Sequence, residues 1–290
     1  MHARVAAAMT TVLFALSVAI LPTPRADARG GDGTVVVAHR GASAYAPENT
    51  LAAVDTASAM GFSWVENDVQ RTKDGRLVVI HDATLDRTTD VKRVFPHRAP
   101  WRVKDFTAGE IARLDAGSWF GRRYSGVHVP TLRQYLQRVS HNHQKLVLEI
   151  KNPELYPGIE RQTVKLLQDE GWLDRDHLRN RLIVQSFSAD SVRKVHELRA
   201  GIRTAYLGTP RVTELPVFAR FTDQINARYT KISSRYVSAV HALKGSHART
   251  MKVFAWTVDS ADEARRVAGF GVDGIITNAP DVVRRAVTAY

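Results

Sequence analysis

Cysteine is absent from the 290 residues. That absence excludes disulfide bonds, thiolate-held zinc, iron–sulfur clusters and a cysteine nucleophile. Long apolar runs are missing too: the greasiest stretch, Val12–Leu21, is too short to span a bilayer comfortably. No glycine-rich phosphate loop follows the first strand-like run, where His39-Arg40-Gly41 stands instead. This counts against a dinucleotide-binding doubly wound sheet. Acidic residues are in deficit, 29 against 41 Lys plus Arg, giving a formal charge of +12. Of those cations 31 are arginines, scattered along the chain, so the charge reads first as composition and only second as a nucleic-acid footprint. The pairs Arg122-Arg123, Arg265-Arg266 and Arg284-Arg285 are isolated and read as solvated faces. No internal repeat or low-complexity linker is present. With 44% hydrophobic and 24% charged residues the chain has ample material for a core, and global disorder is excluded.

Residues 1–28 read as an export signal. His2 and Arg4 supply a small positive start, Val12–Leu21 the apolar centre, and Ala26-Asp27-Ala28 the small-x-small pattern cleaved by signal peptidase. Without a twin arginine the general secretory route is expected, with cleavage after Ala28. An uncleaved N-terminal anchor is the alternative. The expected mature chain, residues 29–290, carries a net +11, is soluble, has no integral membrane segment and is secreted. Lacking disulfides, it relies on packing and ligands for stability.

From there strand-like and helix-like segments alternate to the end. Strands are expected at Val35–His39, Trp64–Val69, Leu77–His81, Lys145–Ile150, Leu182–Phe187, Thr204–Leu207, Lys252–Val258 and Gly274–Thr277, with a weaker ninth near Gln224–Arg228. A helix is expected over Thr50–Met60 with Asn49 as its N-cap, and capping boxes start others at Thr107, Thr131 and Ser260. Eight buried strands separated by helices in about 260 residues match an α/β fold of the (β/α)₈ TIM-like barrel type. The stretch Asp82–Lys145 is too long for an ordinary connection and reads as an insertion, about 83–130, with a short helix at Ala108–Leu114.

In such a barrel the polar residues at the C-terminal strand ends do the chemistry. Here they are His39 and Arg40, Glu66 and Asp68, His81 and Asp82, and Glu149 and Lys151. Glu66/Asp68 and Glu149/Lys151 are spaced i, i+2, so each pair shares one face of its strand. Three carboxylates meeting at one barrel mouth repel unless a cation neutralises them. Oxygen ligands point to a hard divalent ion, Ca²⁺ or Mg²⁺. Two histidines beside it suit acid–base work near neutral pH, and Arg40 and Lys151 suit a bound phosphate.

The stretches AHRGASAYAPENT (Ala38–Thr50) and VENDVQRTKDGRLVVIHDATLDRTT (Val65–Thr89) closely resemble the glycerophosphodiester phosphodiesterase family. LEIK, QSF, WTV and GVDGIITNAP follow in the right order, so the resemblance covers essentially the whole mature chain. It implies a distorted (β/α)₈ barrel with an insertion after the third strand, and hydrolysis of glycerophosphodiesters to glycerol 3-phosphate and an alcohol. It implies His39 and His81 as the acid–base pair, and Glu66, Asp68 and Glu149 as ligands of one divalent metal, Ca²⁺ or Mg²⁺. Arg40 and Lys151 would face the phosphate and Trp256 the glycerol, with Phe187 a weaker wall residue. On that reading the glycerol 2-hydroxyl attacks phosphorus and water opens the cyclic product; direct attack by water is the alternative. Three positions depart from the family pattern: Asn67 for an apolar residue, Asp259 for Asn and Asn278 for Asp. None falls on the expected metal or histidine set, so only fine detail is expected to change. Rival expectations are a sphingomyelinase D-like phospholipase and a non-catalytic module binding wall or membrane phosphates. Deacylated phospholipids and teichoic acid are the substrate candidates, and nucleic acid is not expected as a partner.

Overall fold

The computed structural model describes residues 33–288, so the expected export signal lies outside the described residues. The β-branched run Val35–Ala38 forms strand β1. Helix α1, Leu51–Ala59, follows; its N-cap is Thr50, whose side chain accepts from Ala53 N, and not Asn49 as expected. Asn49 takes a left-handed conformation (φ 59°) and turns its amide to another task, described below.

Strand β2, Trp64–Arg71, outruns the barrel, and its last residues pair antiparallel with the short strand β3, Leu77–Val79. Here the expected strand set needs correction. The third sequence strand is the second arm of a hairpin, because residues 72–76 are too few for a parallel crossover. Gly75, at φ 79°, makes the turn. The weak ninth candidate completes the barrel instead.

Between β3 and the next barrel strand, helices α2 (Val91–Val94) and α3 (Ala108–Ile111) belong to a small subdomain. Its own core gathers Leu85, Val91, Val103, Phe106, Ile111 and Leu114. Helix α4, Leu132–His141, returns the chain to the barrel. Thr107 and Thr131 both close full capping boxes, with Glu110 and Gln134. The remaining units are β4 (Lys145–Ile150), α5 (Ile159–Asp169), β5 (Leu182–Ser186), α6 (Ala189–Leu198), β6 (Arg203–Leu207) and α7 (Leu215–Phe218). They end with β7 (Gln224–Arg228), α8 (Ser234–His241), β8 (Lys252–Trp256), α9 (Ala261–Ala268), β9 (Gly274–Thr277) and α10 (Pro280–Thr288).

Eight parallel strands close in the order β1-β2-β4-β5-β6-β7-β8-β9 and back to β1. Helices cover the outside, where Val54, Leu136, Leu167, Val195 and Val237 seal the main core. Inside, Val37, Trp64, Val147, Ile183, Phe254 and Ile276 form an apolar plug. Side chains alternate along a strand, so two residues past each plug residue the next inward position lies nearer the mouth. Those positions are His39, Glu66, Glu149, Gln185, Trp256 and Asn278. The plug holds them up; the hydrophobic floor and polar mouth are one alternation pattern.

Candidate active site

The β2–β4 register places Asp68 directly beside Glu149, and Glu66 one step deeper beside Val147. Glu66, Asp68 and Glu149 are 1%, 0% and 5% exposed. One carboxylate oxygen from each lies within 4.8 Å of the others. Two permanent cations face them. The Arg40 Nε stands 3.2 Å from Asp68 Oδ2, and Lys151 Nζ is 2.9 Å from Glu149 Oε1 and 3.7 Å from Asp68 Oδ1. Three acids against two cations leave negative charge buried, and the consequences differ by position. Burial, then repulsion from Asp68 and Glu149, pushes Glu66 well above the ordinary carboxylate range. Burial and Asp68 push Glu149 up to about 8. Burial also works against the Asp68 carboxylate, but Arg40 and Lys151 more than offset it, and its pKa falls to about 2.

This electrostatic frustration fits a divalent cation. Asp68 Oδ1 is buried without a hydrogen-bond partner, the donors are all oxygen, and the surplus charge is of the right sign. With a divalent ion the site would carry one net positive charge, enough for one phosphodiester.

Supporting contacts hold the acids in place. Asn49 Nδ2 donates to Asp68 Oδ2 at 2.8 Å, and its Oδ1 accepts from Asp68 N at 3.2 Å. Arg40, itself left-handed at φ 56°, donates its backbone N–H to Glu66 Oε2 at 3.0 Å. Its guanidinium is pinned by Glu48 Oε1 at 2.8 Å, and Glu48 is in turn held by both terminal nitrogens of Arg87. Gln185 Nε2 reaches Glu66 Oε1 at 3.4 Å. Glu48, Asn49, Arg87 and Gln185 were missed as functional residues. All four lie inside stretches already singled out, Ala38–Thr50, Val65–Thr89 and QSF, with nothing there to say what their polar side chains touch.

The two histidines have different partners. His39 Nδ1 is 2.7 Å from Asn278 Oδ1, and the Asn278 amide is oriented by Asp259. A carboxylate only accepts, so the Asn278 NH₂ faces Asp259 Oδ2 (2.7 Å) and its oxygen must face His39. Ser43 Oγ donates to the same oxygen at 2.9 Å, and Asn278 N to Asp259 Oδ1 at 2.8 Å. His39 therefore carries its proton on Nδ1 and turns a bare Nε2 toward the acids, 3.9 Å from Glu66 Oε2. Burial, then the neighbouring Arg40 charge, lowers its pKa to about 4. His81 Nδ1 instead meets the carboxylate of Asp82 at 2.7 Å, and Arg87 Nε fixes that carboxylate from the other side at 2.5 Å. The departures at Asn278 and Asp259 thus touch the histidine set directly, contrary to expectation.

His39, Arg40, Glu66, His81, Glu149, Lys151 and Trp256 all line one cavity of 80 Å³, and Asp68 is fully buried beside Glu149. His81 arrives from the hairpin's continuation rather than from a barrel strand. Trp256 is anchored by Nε1 donation to Asn226 O at 2.7 Å and meets the half-exposed Phe187 edge to face, 5.5 Å between centroids. Lys151 Nζ sits over Phe187, 5.3 Å from the ring centre. The structure thus brings the side chains named from the sequence together at one end of the barrel.

Residues 39–282 match the glycerophosphoryl diester phosphodiesterase family. The chain belongs to that family.

Among its relatives, a glycerophosphodiester phosphodiesterase of Bacillus subtilis is 35% identical over 96% of this chain and 97% of its own. One from Caldanaerobacter subterraneus subsp. tengcongensis is 35% identical over 86% and 96%. Among solved structures, a phosphodiesterase of Oleispira antarctica in complex with the product sn-glycerol-3-phosphate has a TM-score of 0.76 at 27% identity, covering 89% of this chain and 98% of that one. The glycerophosphodiester phosphodiesterase of Agrobacterium tumefaciens str. C58 has a TM-score of 0.67 at 27% identity, covering 87% and 99%. This chain is accordingly an enzyme of phosphodiester hydrolysis, acting on glycerophosphodiesters through a (β/α)₈ barrel.

Proposed function

We propose that the enzyme is metal-dependent and that His39 and His81 divide the proton transfers between them. The asymmetry of their Nδ1 partners carries this reading. His39, held by a neutral amide and kept low in pKa by burial, is the base: its bare Nε2 takes the proton from the attacking glycerol 2-hydroxyl. His81, backed by the Asp82 carboxylate, is the acid: the carboxylate supports the charge of the ring while the far nitrogen delivers a proton to the leaving alcohol. Water then opens the cyclic phosphate with the roles reversed. Arg40 and Lys151 balance the phosphodiester charge, and Trp256 and Phe187 wall the glycerol side. Glu66, Asp68 and Glu149 would hold Ca²⁺ or Mg²⁺, which would supply Lewis-acid stabilisation of the phosphoryl charge.

The test is glycerophosphocholine hydrolysis in the purified enzyme. Either His39→Ala or His81→Ala should cost at least about a hundredfold in kcat. His81→Ala should be rescued preferentially on substrates with an acidic leaving alcohol, whereas His39→Ala should not. An active His81→Ala enzyme on ordinary substrates would sink the assignment. Release of ceramide 1-phosphate from sphingomyelin would instead favour the phospholipase reading.

We further propose that residues 1–28 direct export and that the natural substrate is a deacylated phospholipid or a wall polymer of the teichoic acid type. Among the described residues no helix is long and apolar enough to cross a membrane. Product analysis of the culture medium and of a panel of glycerophosphodiesters and teichoic acid separates these.

A further inference from the structure

The active site accounts for few of the surplus cations, and the far end of the barrel gathers several more. A cavity of 460 Å³ opens there, lined by Thr204, Gln224 and Lys252 at the N-terminal ends of β6, β7 and β8. Arg175, Arg179, Arg199, Arg203 and Arg249 join Lys252 and His247 around it, from three separate stretches of chain. One carboxylate, Asp223, lines the same cavity, and it is already engaged. It accepts from Thr204 N, from Ser246 Oγ and from both the backbone and ring nitrogens of His247. Arg203 is the deepest consequence: its Nε and Nη2 are buried with no hydrogen-bond partner. Burial lowers its pKa although Asp223 works the other way. Among the described residues Arg175, Arg179, Arg199 and Arg249 have no ion-pair partner.

A guanidinium left buried without a full counter-charge is expensive, and so is a ring of like charges around it. We propose that this cavity is a second anion site, taking a phosphate-sized dianionic oxyanion as the missing counter-charge. Planar guanidinium groups favour such an oxyanion over a lone halide, because they hold two oxygens at once. The site is distinct from the catalytic one. Five-residue strands such as β7 separate the two ends by roughly 17 Å, so one small phosphate cannot touch both.

Isothermal titration of the full chain with inorganic phosphate at low ionic strength tests this. Two phosphates per chain are expected, against one in Arg203→Met or in the exposed rim double variant Arg199→Gln/Arg249→Gln. In both variants kcat/KM for glycerophosphocholine should stay within about twofold of the native value. A second readout separates a site from mere packing. In phosphate-free, low-salt buffer Arg203→Met should melt at or above the native temperature, since an uncompensated charge is gone; saturating phosphate should reverse the order. If Arg203→Met does not fold, the rim variant alone decides. Comparing inorganic phosphate with glycerol 3-phosphate shows whether the occupant is free phosphate or the reaction product, by which binds at least tenfold more tightly. Native stoichiometry of one, a second site indifferent to both variants, or full replacement of phosphate by chloride at equal ionic strength overturns the proposal. Its failure would leave the active-site reading intact, because no residue is shared.

Discussion

At Asn67 the sequence pattern and the packing disagree. The side chain lies on the outer face of β2, between two acids that point inward, and it is fully buried with neither amide atom bonded. A buried amide without partners costs about as much as a hydrogen bond is worth several times over. Asn67→Val should therefore stabilise the protein by about 1–2 kcal/mol, read as a higher denaturant midpoint at unchanged slope. Asn278 and Asp259 raise the opposite case, where two unusual residues satisfy each other. Asn278→Asp sets two carboxylates face to face and removes the NH₂ donor to Asp259 that fixes the Asn278 oxygen as the acceptor for His39. Its kcat should drop about ten- to a hundredfold, and the exchange Asp259→Asn/Asn278→Asp should restore most of the loss by returning one donor and one acceptor. Simple additivity of the two single effects would show that the pair does not act through His39. Residue identities at this scale were readable in advance; whether Asn67 and Asn278 found partners was not, because partnership is decided by neighbours distant in sequence.

Among the elements, the hairpin β2–β3 teaches most. Lys73-Asp74-Gly75 is a turn sequence, and a link this short excludes a parallel pair. The continuous apolar run Leu77–Val79 looks the same in a parallel or an antiparallel strand. The weak Gln224–Arg228 segment is a barrel strand although Gln224 and Asn226 interrupt its apolar pattern. Both side chains point into the barrel and hydrogen-bond there: Gln224 Nε2 donates to Asn226 Oδ1, and Asn226 Nδ2 to Gln185 Oε1. The inserted subdomain depends on Asp115 as its knot. That carboxylate accepts from the backbone of Gly117, Ser118 and Gly126 and from Ser118 Oγ. Burial opposes the charge more than any one donor favours it, but the donors together outweigh it and hold its pKa well below the ordinary value. A depressed carboxylate contributes stability above its unfolded pKa, near 4, and that stability drains away as pH falls through the folded value. Amide exchange across residues 115–127 should accelerate below about pH 4 in the native protein. In Asp115→Asn it should already be fast at neutral pH; equal protection in both would dismiss the knot.

For the whole molecule, charge is the organising quantity. Glu66 and Glu149 are raised in the metal-free protein, so the native state holds protons there that the unfolded chain has released. Under chelation, stability should fall as pH rises from about 4.5, the ordinary carboxylate value, toward the raised value of Glu149 at about 8. Adding Ca²⁺ or Mg²⁺ should stabilise most at the upper end of that window, and EDTA should abolish turnover throughout; melting temperature and rate against pH check both. A flat profile in chelator would mean that the three acids are not frustrated. The sequence by itself determined the barrel class, the polar cluster at the barrel mouth and the family, because strand periodicity and i, i+2 spacing are local and the motifs are contiguous. Tertiary structure alone decided that His39 faces the amide of Asn278, and where the arginines meet. Those are contacts between residues tens to hundreds of positions apart, and the physical environment of a charge is set by what surrounds it in space.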